Sequence, residues 1–211
     1  MPDMETARTR REEYAEATYE ALLESAAECF LESGWAATSL DAVAKRARVT
    51  KGAIYHHFNS KESIIEELLR EYVDELLADY RRIIAEGGPP REVLSRLANS
   101  VFASFAEHRA AITVWQNERQ ALGHRPGFAY LAEAQAEVER LWTEVIRQGI
   151  EAGEFRENLD PRLAYRFLRD SVWMAVHWYR PDGPLTSQQV AAHYLAIMLD
   201  GIDSRRCCCH A

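Results

Sequence analysis

The chain has 211 residues, a hydrophobic fraction of 47%, a charged fraction of 27% and a formal net charge of −8. That balance describes a globular protein with a substantial core, and it excludes a surface coated in basic residues for general nucleic-acid binding. No run of about 18 uncharged apolar residues occurs, so no membrane span is expected, and Met1 to Glu24 has no apolar signal core, so a cytoplasmic location is expected.

Apolar residues recur at three and four residues along nearly the whole chain, which predicts an all-α fold of about nine helices. Residues 1–13 read as a flexible arm. The first helix is expected over about Tyr14–Ser33, with Tyr19, Leu22, Leu23, Ala26, Ala27, Phe30 and Leu31 on one face and Gly34 as its left-handed stop. Cys29 stands alone in that stripe. Two short helices follow, about Leu40–Ala47 and Lys51–Phe58, with Thr38/Ser39 and Thr50 as candidate N-caps. Asn59 with Glu62 reads as a capping box opening a helix to about Ala85.

Gly87-Gly88-Pro89-Pro90 breaks that helix and starts one bearing Val93, Leu94, Leu97, Val101, Phe102 and Phe105. Helices are then expected over about Ala110–Leu122 and Phe128–Glu151, the second closed by Gly153. Asp160-Pro161 is an N-cap followed by proline at the first helical position, and that helix stops at Pro181-Asp182-Gly183-Pro184. Thr186 with Gln189 caps a last helix ending near Gly201. Residues 204–211 read as a disordered tail. Its adjacent Cys207, Cys208 and Cys209 with His210 make a poor tetrahedral set, so no metal is expected, and no disulfide framework is present.

The chemistry concentrates between Thr38 and Glu62, TSLDAVAKRARVTKGAIYHHFNSKE. Two short helices joined by a tight turn are the sequence form of a helix-turn-helix. Leu40, Val43 and Ala44 would face the core from the first helix, and Val49, Ile54 and Phe58 from the second. Lys51, Gly52, Ala53, Tyr55, His56 and His57 are left facing out. Lys45, Arg46, Arg48, Lys51 and Lys61 stand against Asp41, a basic patch in an acidic protein. Gly52 and Ala53 allow close approach to a groove, and Ala53 suits a thymine methyl. Lys51 suits a guanine edge or a phosphate, His56 a base edge or a phosphate, and Tyr55 and His57 phosphates. Lys61 opens a helix whose N-terminus already favours an anion.

Gly52-Ala53-Ile54-Tyr55-His56-His57-Phe58-Asn59-Ser60-Lys61-Glu62, with Gly34, Thr38 and Val43-Ala44 at the expected offsets, resembles the TetR family of bacterial repressors. The resemblance implies a helix-turn-helix over residues 14–62, a ligand-binding and dimerisation domain over 63–203, and operator DNA contacts from Thr38, Thr50, Lys51, Gly52, Ala53, Tyr55, His56, His57 and Lys61. Two departures stand out. Arg48 replaces the turn glycine and must adopt a conformation costing about 1 kcal/mol. Asp41 replaces a basic residue and would repel a phosphate.

The C-terminal two thirds carries an aromatic excess suited to a core and to an apolar cavity. Phe102, Phe105, Trp115, Trp142, Arg169 and Trp173 are the candidate ligand residues. Arg169 and Trp173, at i and i+4, share a helix face and pair a cation with an indole. The stretches YRFLRDSVWMAVHWYRPDG and GPLTSQQVAAHYLAIMLDGI resemble the C-terminal region of actinobacterial TetR repressors of steroid-ring and fatty-acid catabolism. This second resemblance implies an acyl-CoA thioester as effector, and a two-fold dimer through the last two helices. Leu163, Phe167, Val172, Val176, Val190, Tyr194, Ile197 and Met198 supply the apolar surface.

The function expected is a ligand-responsive repressor released from its operator, with no cofactor. An efflux-pump repressor sensing drug-like hydrophobic compounds is the alternative within the fold. A helical-bundle enzyme is the alternative outside it. It is disfavoured because no Glu-x-x-His pair, Gly-rich phosphate loop, Gly-x-Ser-x-Gly or His-Glu-x-x-His occurs.

Overall fold

The computed structural model describes residues 3–202, with side chains described from 12 to 199. The tail at 204–211, including Cys207 to His210, lies outside the described residues. Among the described residues the order is α1 (Asp3–Ser33), α2 (Leu40–Arg46), α3 (Lys51–His57), α4 (Lys61–Glu86), α5 (Pro90–Ser104) and α6 (Arg109–Gly123). A 3-10 turn at Pro126–Phe128 leads into α7 (Tyr130–Glu151), α8 (Pro161–Trp178) and α9 (Ser187–Ile202).

Two boundaries differ from expectation. α1 starts at Asp3 rather than near Tyr14, so the expected arm is helical from residue 3. Its Glu-, Arg- and Ala-rich sequence has high helix propensity but no apolar stripe for a periodicity reading to find. α4 is capped by Ser60, not Asn59: the Ser60 side chain accepts from the Ser63 N–H at 3.2 Å, and Ser63 Oγ accepts from the Ser60 N–H. Phe58 is extended and buried, which pulls the chain past Asn59 before the helix begins.

The helix-turn-helix forms by local rules. Ser39 and Thr50 cap α2 and α3, each accepting a backbone N–H at 3.2 Å. After α2 the Arg48 N–H reaches the Lys45 carbonyl and the Val49 N–H reaches the Ala44 carbonyl, which is a Schellman stop. Arg48 occupies its left-handed position at φ 58°. Val43, Ala44, Ile54 and Phe58 pack against Leu22, Ala26 and Phe30 of α1.

α4 carries this core onward. Ile64, Ile65 and Leu69 are fully buried at its start, and Tyr72, Leu76, Leu77 and Tyr80 continue the buried stripe. α5 is the central C-terminal helix, packing on α4, α7 and α9, while α7 packs on α8. Gly149 in α7 lets the Phe155 ring fold back onto the helix; a Cβ there would come within 2.2 Å of it. Phe155 is 1% exposed, so this close approach seals one end of the domain.

Candidate DNA-binding surface and ligand cavity

α3 presents Lys51, Gly52, Tyr55 and His56 to solvent, with Ala53 and His57 half-buried, and turns Ile54 inward. The expected outer face is therefore the observed one. Tyr55 stands 46% exposed with the Lys51 ammonium 5.7 Å from its ring centroid. His57 leans on Tyr19 and His56. Burial, and then the neighbouring His56 charge, hold its pKa below the ordinary histidine value. It serves better as a neutral hydrogen-bonding group than as a cation.

Two expected DNA contacts are turned inward. Thr38 is 4% exposed, and its hydroxyl donates to the Gly34 and Cys29 carbonyls at 2.8 and 3.2 Å, tying the α1–α2 turn to α1. Lys61 donates to the carbonyls of Trp35, Ala36 and Thr38 at 2.7, 3.2 and 3.2 Å, with its ammonium 4.9 Å from the Trp35 ring centroid. A loop without a cap of its own leaves carbonyls that a lysine can satisfy, and spacing along the chain cannot reveal that.

The basic patch is also thinner than its sequence. Arg46 bridges to Glu28 and Glu32 on α1. Lys51 Nζ lies 2.9 Å from Asp41 Oδ2, both side chains exposed. Among the described residues Lys45 and Arg48 carry the unpaired positive charge of this stretch.

The candidate ligand cavity lies between α4, α6, α7 and α8 and encloses about 80 Å³. Leu69, Val73 and Leu76 form one wall and Leu131, Ala134 and Val138 another. Trp115 and Arg119 come from α6, and Tyr165, Arg169 and Trp173 from α8. Arg119 and Asp170 are its exposed lining residues, and so mark the mouth. Arg169 donates to Asp170 at 2.7 Å and lies 5.4 Å from the Tyr165 ring centroid. The Tyr165 hydroxyl is buried without a partner at hydrogen-bond geometry. Burial, opposed by Arg169, raises its pKa.

Of the six expected ligand residues, Trp115, Arg169 and Trp173 line this cavity, and Trp142 lines a small adjoining space with Tyr80 and Tyr165. Phe102 and Phe105 do not. They stack on each other and on Tyr194 and Tyr179, in the core between α5, α9 and the end of α8. Tyr165, Arg119 and Gln135 were not singled out by sequence; Tyr165 at i−4 from Arg169 was the available signal.

The expected dimer surface divides in two. Leu163, Phe167 and Ile197 are 51%, 67% and 70% exposed, joined by Met174 and Trp178, and Met198 is half-buried. Val172, Val176, Val190 and Tyr194 instead fill the monomer core, the Tyr194 hydroxyl donating to the Leu168 carbonyl at 2.9 Å. α8 is apolar on two faces, and periodicity cannot tell which faces inward.

Comparison with known proteins agrees with this architecture. Residues 22–68 match the family described as bacterial regulatory proteins, tetR family, and residues 87–202 match the tetracyclin repressor-like C-terminal domain. The chain is 45% identical over 181 residues to the HTH-type transcriptional repressor KstR2 of Mycobacterium tuberculosis, covering 86% of this chain and 90% of the relative. Against KstR2 of Rhodococcus jostii it is 41% identical over 183 residues, covering 87% and 90%. The solved structure of the ketosteroid transcriptional regulator KstR2 of Mycobacterium tuberculosis matches with a TM-score of 0.84 at 44% identity, covering 88% of this chain and 94% of that one. Exposed recognition helix, buried α4 stripe and tryptophan-lined cavity thus sit in a chain that belongs to the TetR family of bacterial transcriptional repressors.

Proposed function

We propose that the chain binds operator DNA as a homodimer and is released by an acyl-CoA thioester of steroid or lipid catabolism. Residues 14–62 form the DNA-binding unit and 63–203 the ligand-binding and dimerisation unit. The observation that carries the ligand class is the cavity itself: an apolar space between Trp115 and Trp173 with Arg119 and Arg169 beside it. Apolar walls suit a ring or acyl chain, and guanidinium groups suit the phosphates and carbonyls of a CoA thioester. Cationic drugs call for buried carboxylates, and the cavity's one carboxylate, Asp170, is exposed. The relatives named as KstR2 repressors, one described as a ketosteroid regulator, support the same reading.

On DNA, Tyr55, Lys51 and His56 make the outward contacts from α3, with Thr50, Gly52, Ala53 and His57 flanking them. Leu163, Phe167, Met174, Trp178 and Ile197 form the two-fold contact, placing the recognition helices roughly 34 Å apart. Release follows from α4, which lines the cavity with Leu69, Val73 and Leu76 and anchors the DNA-binding core with Ile64 and Ile65. About 80 Å³ is too small for a steroid ring system, against roughly 300 Å³ or more for ordinary ligand sites, so binding must displace its walls. A hundredfold drop in operator affinity needs about 2.7 kcal/mol of preference between the two α4 positions.

The test is a gel shift with the chain's own upstream DNA at fixed salt, with panels of acyl-CoA thioesters and of cationic drug-like compounds. A specific shift reversed by thioesters alone is expected. Reversal by the drug panel alone contradicts the thioester reading, and no shift contradicts the operator reading.

A further inference from the structure

A second cavity, of about 350 Å³, lies between α4 and α5 on the other side of Tyr72, which lines both. Glu75 of α4 meets Glu107 and His108 at the corner between α5 and α6, and one ligating atom from each lies within 4.8 Å of the others. His108 Nε2 is 2.8 Å from Glu75 Oε2. Neither this cavity nor the adjoining groove between α1, α4 and α6 is lined by lysine or arginine, and the groove adds Glu20, Glu24 and Glu71.

An independent sign comes from Tyr72. It is 2% exposed, and its hydroxyl has no partner at hydrogen-bond geometry. Burial raises its pKa, and Ser104, which lines this cavity and not the ligand cavity, opposes that rise from close by without reaching good hydrogen-bond geometry. Ser104 directs its own hydroxyl to the Val101 carbonyl at 2.8 Å. A buried hydroxyl left unpaired beside a cavity marks a place where a water or ion-bound group belongs.

We propose that Glu75, Glu107 and His108 form a site for a divalent transition metal, zinc being the best match, which pins the head of α6 to α4. Imidazole and carboxylate are both zinc ligands, and three protein ligands with a fourth position left to water are a known zinc arrangement. Ligands about 2.1 Å from a tetrahedral zinc stand about 3.4 Å apart, within the observed span after small side-chain movements. Zinc takes the place of the hydrogen bond between His108 and Glu75 and offsets the repulsion between the two carboxylates.

The test is calorimetric titration of the full chain with zinc after chelator dialysis, with Cys207→Ser, Cys208→Ser and Cys209→Ser present throughout to remove tail thiolates. The same titration is run with Glu75→Gln and with His108→Asn added, after circular dichroism shows the helical signal unchanged. Glu75 is 59% exposed, so its substitution leaves the core alone; the His108 side chain is 11% exposed with its ring 5.4 Å from that of Tyr72, so the Glu75 variant decides the test if the His108 variant loses helical signal. One ion per chain is expected, bound at least about tenfold more weakly in each variant. No binding by the parent, or undiminished binding in either variant, overturns the proposal.

Discussion

Arg48 shows how one residue can serve two demands at a cost to one of them. Its left-handed backbone at φ 58° closes the turn between α2 and α3, where glycine carries no such cost, yet its side chain is one of the free cations beside the recognition helix. Arg48→Gly should raise stability by about 0.5–1 kcal/mol in urea unfolding while weakening operator binding and flattening its salt dependence. Both quantities falling together would contradict this division of roles. Lys61 presents the opposite case. Holding three carbonyls, Lys61→Met should cost about 2 kcal/mol of stability and lower operator affinity mainly through that loss. His57 gives a pH signature. Its folded pKa lies below the ordinary value of about 6.5, so the unfolded chain binds the proton more readily. Stability is then full above about pH 6.5 and declines as pH falls through the folded value. In urea melts the loss between about pH 7.5 and about pH 5.5 should be smaller in His57→Gln than in the parent, and equal losses would refute the assignment.

At the scale of elements, α8 carries the clearest contrast because it is apolar on two sides. Phe167→Glu, on its exposed side, or Ile197→Glu on the neighbouring α9, should yield a folded monomer in sedimentation with little change in melting. Val176→Ala, on the buried side, should cost about 2 kcal/mol and leave the oligomeric state alone. The order and type of the helices were legible in the sequence because period, caps and glycine stops agree at each boundary; Asp160, Thr186 and Gly153 act as read. The start of α1 was not, because a polar helix carries no periodic signal. Within the sites, the outward face of α3 was readable from the inward pull of Ile54 and Phe58. The inward roles of Thr38 and Lys61, and of Phe102 and Phe105, were hidden because they depend on carbonyls and rings brought together only by folding. Trp115, Arg169 and Trp173 could be named while Arg119 and Gln135 could not, since these reach the cavity from α6 and α7, whose relative rotation only packing sets.

Across the whole molecule, α4 both lines the candidate ligand cavity and carries Ile64 and Ile65 of the DNA-binding core, and α6, which lines the same cavity with Trp115, packs on α1; filling the small space between Trp115 and Trp173 therefore has a path to the DNA-binding unit. Arg169 and Trp173 are remote from α3, and their replacement should separate the two activities. The deciding measurement is fluorescence anisotropy of labelled operator DNA at fixed salt, titrated with a steroid-ring acyl-CoA thioester, for the parent chain and for Arg169→Met with Trp173→Leu. Equal operator affinity is expected for both proteins without thioester, with release of the parent by thioester and a response in the double variant at least about tenfold weaker, equivalent to about 1.4 kcal/mol of lost coupling. A double variant released as readily as the parent would contradict the claim that this cavity controls DNA binding.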